Sequence, residues 1–264
     1  MKLLDGKVAV VTGIGPGMGR SIAVQLAQHG AKLVIGARST EATEKTAQEI
    51  RGFGGAVLTQ RVDQAEQASV QAFVGRAIDA YGGVDIVVHN GAASGDNKLV
   101  EDADLEVWRQ LYEANCLSAI SLYKAALPSM KARGDGRIIL INTGASNNRP
   151  HPGLAPYAAT KAGLASLVRS IALEAGKYGI RCNGVHLGGI DGENYRNRVE
   201  HFTAPARGMT TEQYMEMRYN EYLPLRYVPT ADECAGVVVF LASDLARSMT
   251  GQAISVNGGE WFVE

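Results

Sequence analysis

The sequence is poor in the features that mark several classes of protein. It has three cysteines, Cys116, Cys182 and Cys234, and no two of them lie close together. This argues against a disulfide framework or a zinc site and fits a reducing compartment. The five histidines are scattered and lack the spacing of metal ligands. We therefore expect a cytoplasmic protein without a metal centre.

Strong net charge and long apolar runs are also missing. The formal net charge is −1, and the Lys and Arg residues are spread along the chain. Nothing in this pattern predicts nucleic acid as a partner. No apolar run approaches the roughly 18 residues of a membrane helix. Asp5 and Lys7 stand where a signal peptide needs an apolar stretch. We therefore expect neither nucleic acid nor a membrane as a partner.

What the sequence does contain is a regular alternation of two hydrophobic patterns. Short β-branched runs predict strands at 7–13, 32–38, 56–63, 84–91, 137–143, 179–188 and 252–258. Segments of helical period between them include 19–30, 66–82, 105–134 and 157–179. Strands without polar alternation are typical of a parallel sheet that is buried on both faces. We predict one α/β domain over 1–264, with a doubly wound parallel sheet of about seven strands and helices on both faces.

One segment interrupts this alternation, because no strand is predicted between Gly188 and about Thr230. A long insertion near strand ends is usually a lid or a binding loop. A helical appendage packed on a neighbouring subunit is the alternative. We predict a substrate lid at about 190–228, with Tyr195 as a candidate substrate contact. A partly apolar, deformable wall is indicated by Tyr195, Phe202, Tyr214, Tyr219, Met209 and Met215.

A glycine-rich turn, T-G-I-G-P-G-M-G-R, follows the first predicted strand at residues 12–20. Glycines let the backbone turn tightly and approach a ligand closely. Their N–H groups and the next helix N-terminus would face a pyrophosphate. A tight turn can use glycine for steric reasons alone, but its place after the first strand of such a sheet favours dinucleotide binding. The candidate contacts are Gly13, Gly15, Gly17, Met18 and Gly19.

The residues after the next strands refine this prediction. Where NAD binders carry an acid that bonds the adenosine ribose, the chain has Ala37 followed by Arg38. An arginine can pair with a 2′-phosphate, which favours NADP(H) over NAD(H). A solvated arginine at a strand end is the alternative. Asp63 and Asn90 stand at the ends of strands three and four, at the edge where such sheets bind ligands.

Tyr157 and Lys161 stand four residues apart in P-Y-A-A-T-K-A-G. On a helix this spacing makes them neighbours on one face. The pair is either a coincidence of an exposed face or an acid–base device. Together with the glycine-rich turn and the predicted sheet, the pair favours the acid–base interpretation.

The motifs T-G-I-G-P-G-M-G, P-Y-A-A-T-K and T-G-Q-A-I-S-V-N-G-G occur in an order and spacing that resemble the short-chain dehydrogenase/reductase family over nearly the whole chain. The resemblance implies a single-domain Rossmann fold, usually a homotetramer. It implies hydride transfer between NAD(H) or NADP(H) and a ketone or secondary alcohol. A catalytically silent dinucleotide-binding sensor and a NAD-dependent dehydrogenase are the alternatives.

The resemblance also assigns roles to individual residues. It implies that Tyr157 is the general acid/base, that Lys161 supplies a charge and bonds the nicotinamide ribose, and that Asn115 anchors a water in a proton relay. Because a nearby cation favours the phenolate, we expect a lowered pKa for Tyr157. Asp63 resembles the family's adenine contact, and Asn90 resembles the second asparagine of N-N-A-G.

Several positions depart from the family pattern. N-N-A-G appears as H-N-G-A at 89–92, and the threonine that often holds the carboxamide is replaced by Gly192, although Ile190 remains as a cofactor contact. Thr143 stands where the catalytic serine is expected if the match is made from the strand. The usual spacing to the tyrosine instead lands on Gly144. Ser146 is the competing candidate and a candidate substrate contact.

Overall fold

The sheet predicted from the sequence is present in a computed structural model that describes residues 2–146 and 152–262. All its strand pairs are parallel, in the order β3-β2-β1-β4-β5-β6-β7. The order reverses between β1 and β4, which creates a crevice at the carboxyl edge. The strands are β1 (Val8–Thr12), β2 (Lys32–Gly36), β3 (Val57–Thr59), β4 (Ile86–His89), β5 (Gly136–Thr143), β6 (Ile180–Leu187) and β7 (Ala253–Val256).

Helices cover both faces of this sheet. α1, α2 and α9 pack on one face, and α3, α5 and α6 pack on the other. No helix in the described part of the chain is long and apolar enough to cross a membrane. The helices are α1 (Met18–Gln28), α2 (Thr40–Gly52), α3 (Gln67–Tyr81), α4 (Leu105–Tyr112), α5 (Ser118–Arg133), α6 (Ala155–Ala175), α7 (Glu193–Arg198), α8 (Thr211–Met217) and α9 (Ala231–Ala242).

β1 shows why its sequence lacks polar alternation. Ala9 and Val11 pack into the core on one face of the sheet, whereas Val8 and Val10 pack into the core on the other. Successive side chains of a strand point to opposite faces, so a strand covered on both faces needs apolar residues throughout. The prediction of a doubly wound sheet in a single domain is confirmed.

The helix predicted over 105–134 is interrupted. A π-helical turn at Glu113–Leu117 separates α4 from α5. Turns of this type are frequent at functional sites. Asn115 lies in this turn, so the interruption determines where its side chain is held.

The segment at 190–228 forms a small helical unit. It contains α7, α8 and short π-helical and 3₁₀ turns, and a bridge between Asp191 and Thr230 closes its base. Tyr195 and Tyr214 are buried in a core of the segment's own, with Met209 and Met215 packed against it. The aromatic wall predicted for the substrate pocket is therefore largely internal to the segment, because such short helices bury their apolar side chains on one another.

Candidate active site

Two adjoining cavities open at the carboxyl edge of the sheet. The glycine-loop cavity, lined by residues 13–19, Arg38 and Asp63, has a volume of about 850 Å³. The tyrosine cavity, lined by Thr143, Tyr157 and Lys161, has a volume of about 500 Å³. Four residues line both cavities and so join them: Met18, Asn90, Ala92 and Ala93.

The glycines of the first cavity serve two different purposes. Gly13 has a φ of 71°, and a Cβ there would lie 2.3 Å from the backbone nitrogen of Gly91. A Cβ at Gly19 would lie 2.3 Å from the carbonyl oxygen of Gly13. By contrast, a Cβ at Gly15 or Gly17 would meet open space. Gly13 and Gly19 therefore let the turn close tightly, whereas Gly15 and Gly17 keep side chains out of the cavity.

The N-terminus of α1 faces this turn without a side-chain cap. Its N-cap residue is Gly17, and no described side chain accepts a hydrogen bond from the first turn. The amides of a helix's first turn lack partners within the helix and favour an anion. This uncapped terminus beside an open glycine-rich turn fits the diphosphate of a dinucleotide.

The other residues predicted for the cofactor also lie at these cavities. Arg38 is exposed on the wall beyond β2, and Asp63 is half-buried beyond β3. Asn90 donates a hydrogen bond from Nδ2 to the carbonyl oxygen of Gly13 at 2.7 Å. Ile190 lines the tyrosine cavity. The structure therefore brings together all the residues that the sequence singled out for the dinucleotide.

Tyr157 and Lys161 share one face of α6, as their spacing predicts. The Lys161 Nζ lies 5.9 Å from the centroid of the Tyr157 ring. It donates a hydrogen bond to the carbonyl oxygen of Ile141 at 2.9 Å. Asn142, also on β5, accepts from the backbone N–H of Thr143 and donates to the carbonyl oxygen of Lys161. These bonds fix the first turns of α6 against the end of β5.

Burial has the largest effect on the pKa values of Tyr157 and Lys161. Lys161 is 2% exposed, and burial lowers its pKa to about 8. Burial also raises the pKa of Tyr157, although a hydrogen bond from Thr143 and the positive charge of Arg198 oppose this. The expectation that the pKa of Tyr157 is lowered therefore does not hold for the protein's own groups, because desolvation of the phenolate outweighs the nearby charges.

The two candidate hydroxyl groups occupy different places. Thr143 ends β5 and lines the tyrosine cavity. Ser146 donates from Oγ to the carbonyl oxygen of Thr143 at 2.7 Å, and its Oγ lies 3.3 Å from Nδ1 of His186. Ser146 is not among the described residues that line the cavity. Thr143 therefore faces the tyrosine cavity, whereas the described contacts of Ser146 are with the backbone of Thr143 and with His186.

Asn115 lies behind the site rather than in its wall. Its Oδ1 accepts from the backbone N–H of Ala93 at 2.7 Å. Its Nδ2 contacts the carbonyl oxygen of Ala93 at 2.8 Å and Oγ1 of Thr160 at 3.0 Å. The buried amide thus ties the π-helical turn to the cavity floor and to α6.

Helix α7 contributes two cavity residues that the sequence did not single out. Asn194 lines the glycine-loop cavity and Arg198 lines the tyrosine cavity. The two are four apart and so share one helix face, whereas the predicted contact Tyr195 is 7% exposed within the segment's core. The same spacing that identified Tyr157 and Lys161 is the signal that could have found them.

Two further residues of the tyrosine cavity come from the end of the chain. Glu260 and Trp261 line it although they lie far in sequence from Tyr157. No local motif predicts this contact, since it depends on the direction in which the chain continues after β7. The described residues contain no group of three or more His, Cys, Asp or Glu that could hold a metal ion.

His89 replaces the first asparagine of the family motif and is fully buried. Its Nε2 lies 2.7 Å from Oγ of Ser118. Burial and, secondarily, the charge of Lys161 lower the pKa of His89 to about 3. The imidazole is therefore neutral at physiological pH.

Comparison with known proteins agrees with this geometry. A family model described as enoyl-(acyl carrier protein) reductase matches residues 13–260. The chain belongs to the short-chain dehydrogenase/reductase family, whose members are NAD(P)-dependent oxidoreductases. The prediction of such an enzyme with a Rossmann fold is confirmed at this level.

Individual relatives cover nearly the whole chain. L-rhamnose 1-dehydrogenase (NAD(P)(+)) of Sphingomonas sp. (strain SKA58) is 34% identical over 98% of both chains. The 7alpha-hydroxysteroid dehydrogenase of Escherichia coli (strain K12) is 30% identical over 97% of this chain and 94% of its own. Among solved structures, L-sorbose reductase from Gluconobacter frateurii, complexed with NADPH and L-sorbose, gives a TM-score of 0.90 at 31% identity over 98% of both chains.

Proposed function

We propose that the protein transfers hydride between NADP(H) and a ketone or secondary alcohol, with Tyr157 as the group that gives or takes the proton. The observation that carries this proposal is the convergence of Thr143, Tyr157 and Lys161 on one cavity that joins the glycine-loop cavity. The bound nicotinamide would supply or accept the hydride. A relative that is named for its action on L-rhamnose and a neighbour bound to L-sorbose support an alcohol or carbonyl substrate.

The proton chemistry follows from three side chains. In the reducing direction, the Tyr157 hydroxyl donates its proton to the carbonyl oxygen, and a hydrogen bond from Thr143 orients that oxygen. Since the pKa of Lys161 is about 8, its amine is protonated, and so positively charged, in most molecules at neutral pH. That charge, on the same helix face, stabilises the phenolate that remains. In the oxidising direction the proton moves the other way.

Different residues would hold different parts of the cofactor. Gly13, Gly15, Gly17, Met18 and Gly19 form the turn that would bind the diphosphate, and Asp63 would contact the adenine. The exposed guanidinium of Arg38 would pair with a 2′-phosphate, so we propose a preference for NADP(H), with NAD(H) as the weaker substrate. Asn90 and Ile190 would border the nicotinamide end, and Lys161 would bond its ribose.

The remaining residues singled out by the sequence would affect the reaction indirectly, by positioning or covering the site. We propose that Asn115 positions the site, because its buried amide holds both Ala93 and α6. The segment at 190–228 would act as a lid, since Asn194 and Arg198 of α7 each reach a cavity. Ser146 and Tyr195 remain predicted substrate contacts; the half-buried Ser146 hydroxyl and the buried Tyr195 ring make an indirect effect the better supported role.

We also propose a homotetramer that works in the cytoplasm. Leu105 and Tyr112 of α4 and Leu173 of α6 are large apolar side chains that remain exposed, which supports association through these helices. The three cysteines are free and buried, which supports a reducing compartment. Light scattering coupled to gel filtration tests the assembly, and a monomer would contradict it.

The proposed reaction is tested by absorbance at 340 nm. The wild-type protein is mixed with NADPH or NADH and a panel of ketones, and with the oxidised cofactors and the matching alcohols. We expect turnover with at least one pair and a higher kcat/KM with NADP(H). Tight NADPH binding without turnover on any substrate would instead support a catalytically silent sensor.

A further inference from the structure

The end of the chain forms a wall of the tyrosine cavity that the roles given above do not use. Trp261 packs directly on Gly144, where an added Cβ would lie 2.3 Å from Cζ2 of the indole ring. Gly144 is not among the glycines with positive φ, so its backbone would accept another residue. The indole ring is therefore what requires glycine at this position, next to Thr143.

The C-terminal wall, residues Asn257, Glu260 and Trp261, is held by hydrogen bonds from several directions. Asn257 donates from Nδ2 to the carbonyl oxygen of Trp261 at 2.8 Å. Arg218 of the 190–228 segment pairs with Oε1 of Glu260 at 2.7 Å. The backbone N–H of Gly189, beyond β6, donates to Oε2 at 3.3 Å. These hydrogen bonds hold the C-terminal wall in a defined position beside the tyrosine cavity.

The position of the wall limits the size of a substrate. The tyrosine cavity measures about 500 Å³, and the nicotinamide end of the cofactor would share that space. Trp261 covers Gly144 and lines the cavity together with Thr143 and Tyr157. The indole is large and packs on Gly144, and the main-chain carbonyl oxygen of Trp261 accepts a hydrogen bond from Asn257, so both the ring and the backbone of Trp261 are held. A bulky group on the reacting carbonyl would have to displace it.

The polar groups of the cavity indicate the chemistry of the substrate. Arg198 can donate hydrogen bonds, and Glu260 retains lone pairs beyond its bonds with Arg218 and Gly189. A hydroxyl group both donates and accepts, so it can satisfy either side chain. Arg198 is exposed and Glu260 is half-buried, so a plain hydrocarbon that covered them would displace their water without replacing its hydrogen bonds.

We propose that Trp261, seated on Gly144, is a specificity-determining residue that restricts the reaction to compact carbonyl compounds or alcohols carrying additional hydroxyl groups. This inference rests on the proposed hydride transfer. It names the substrate class of that site and the residue that enforces it.

The specificity is tested by the ratio of kcat/KM for two probes, a six-carbon ketose and a bicyclic aryl ketone, each with NADPH. We expect the wild type to prefer the ketose. Trp261→Ala should shift the ratio toward the aryl ketone by about tenfold or more, the range typical of pocket-size changes. Phe262→Ala is the matched control, because Phe262 is the next residue and is 83% exposed. It should leave the ratio unchanged.

The pairing with Gly144 is tested by thermal unfolding, which needs no turnover. Gly144→Ala should lower the Tm of the wild type by roughly 3–10 °C through overpacking. The same change in the Trp261→Ala background should lower it little, because the ring is gone. Equal losses in both backgrounds would overturn the pairing.

The remaining outcomes separate the two proposals. An unchanged substrate ratio in Trp261→Ala would overturn its role in specificity while leaving hydride transfer intact. A wild type that prefers the aryl ketone would overturn the substrate class. If the wild type oxidised NADPH with neither probe nor with any of the wider ketone panel, the proposed function would fail, and the specificity role with it. The unfolding comparison would then still decide the pairing.

Discussion

The glycine-loop cavity and the tyrosine cavity adjoin, yet they are built in different ways. The first is lined mainly by short turns that follow β1, β2, β3 and β4 directly. The second combines the ends of β5 and β6, the start of α6, helix α7 and the C-terminal wall. A turn after a strand can be recognised from a local motif, whereas a wall made of distant segments depends on the whole fold.

This difference suggests a division of labour. The glycine-loop cavity presents backbone groups and an exposed arginine, which suit recognition of a phosphorylated cofactor. The tyrosine cavity presents a buried lysine, a largely buried phenol and a fixed indole ring, which suit chemistry and substrate selection. If the division holds, removing the Arg38 guanidinium changes cofactor recognition and leaves the chemistry intact, whereas removing the Tyr157 hydroxyl does the reverse.

The largest effect is expected at the centre of the tyrosine cavity. Tyr157→Phe removes the hydroxyl and keeps the ring. Loss of a positioned acid lowers rates by roughly 10²–10⁴-fold, so kcat measured at 340 nm should fall by that factor. Turnover within a few-fold of the wild type would exclude Tyr157 from proton transfer.

The next effect separates the two hydroxyl groups beside it. Thr143→Ala should lower kcat by about 10²–10³-fold, the usual effect of losing a donor to a developing oxyanion. Thr143→Ser should keep most of the activity because it keeps the hydroxyl. Ser146→Ala is the control for the loop, and it should change KM more than kcat. If Ser146→Ala were the crippled variant and Thr143→Ala nearly normal, the two roles would have to be exchanged.

A smaller effect is expected in the glycine-loop cavity. Arg38→Ala should lower kcat/KM for NADP(H) by about tenfold to a hundredfold, since a charged hydrogen bond contributes roughly 1.5–3 kcal/mol. It should leave kcat/KM for NAD(H) nearly unchanged. Equal or better use of NAD(H) by the wild type would contradict the proposed cofactor preference.

The smallest effect concerns how the folding stability depends on pH through His89, at the end of β4. The pKa of His89 is about 3 in the folded protein and about 6.5 when unfolded. As the pH falls, the unfolded chain binds a proton first, so the stability that neutral His89 provides above pH 6.5 declines toward pH 3. Between pH 6.5 and 5 the wild type should lose about 2 kcal/mol more of its unfolding free energy than His89→Asn.

Urea unfolding across this pH range measures that difference. His186, whose pKa burial lowers to about 4, acts in the same direction. Because His186 is present in both proteins, its contribution cancels in the comparison. Parallel stability curves for the wild type and His89→Asn would show that His89 is not held neutral.

The parts of the molecule differed in how far the sequence predicted them. The strands were predictable because residues such as Val8 and Val10 must be apolar when both faces are covered. Gly13 and Arg38 were predictable because each stands at the end of a predicted strand. The positions of Glu260 and Trp261 were not, since nothing near them in sequence marks a cavity. Tyr195 remains a predicted substrate contact; its ring lies in the segment's own core, and aromatic composition alone does not distinguish such a core from a pocket wall.

The central claim is that recognition of the cofactor's phosphates and the proton chemistry lie in different cavities, and one paired measurement tests it most directly. NADPH is titrated into Tyr157→Phe and Arg38→Ala by nucleotide fluorescence, and kcat is measured for both at saturating NADPH. The account predicts that Tyr157→Phe binds NADPH within a few-fold of the wild type but has lost turnover. It predicts that Arg38→Ala binds about tenfold to a hundredfold more weakly but keeps its kcat. Weakened binding in Tyr157→Phe together with lost kcat in Arg38→Ala would contradict the account.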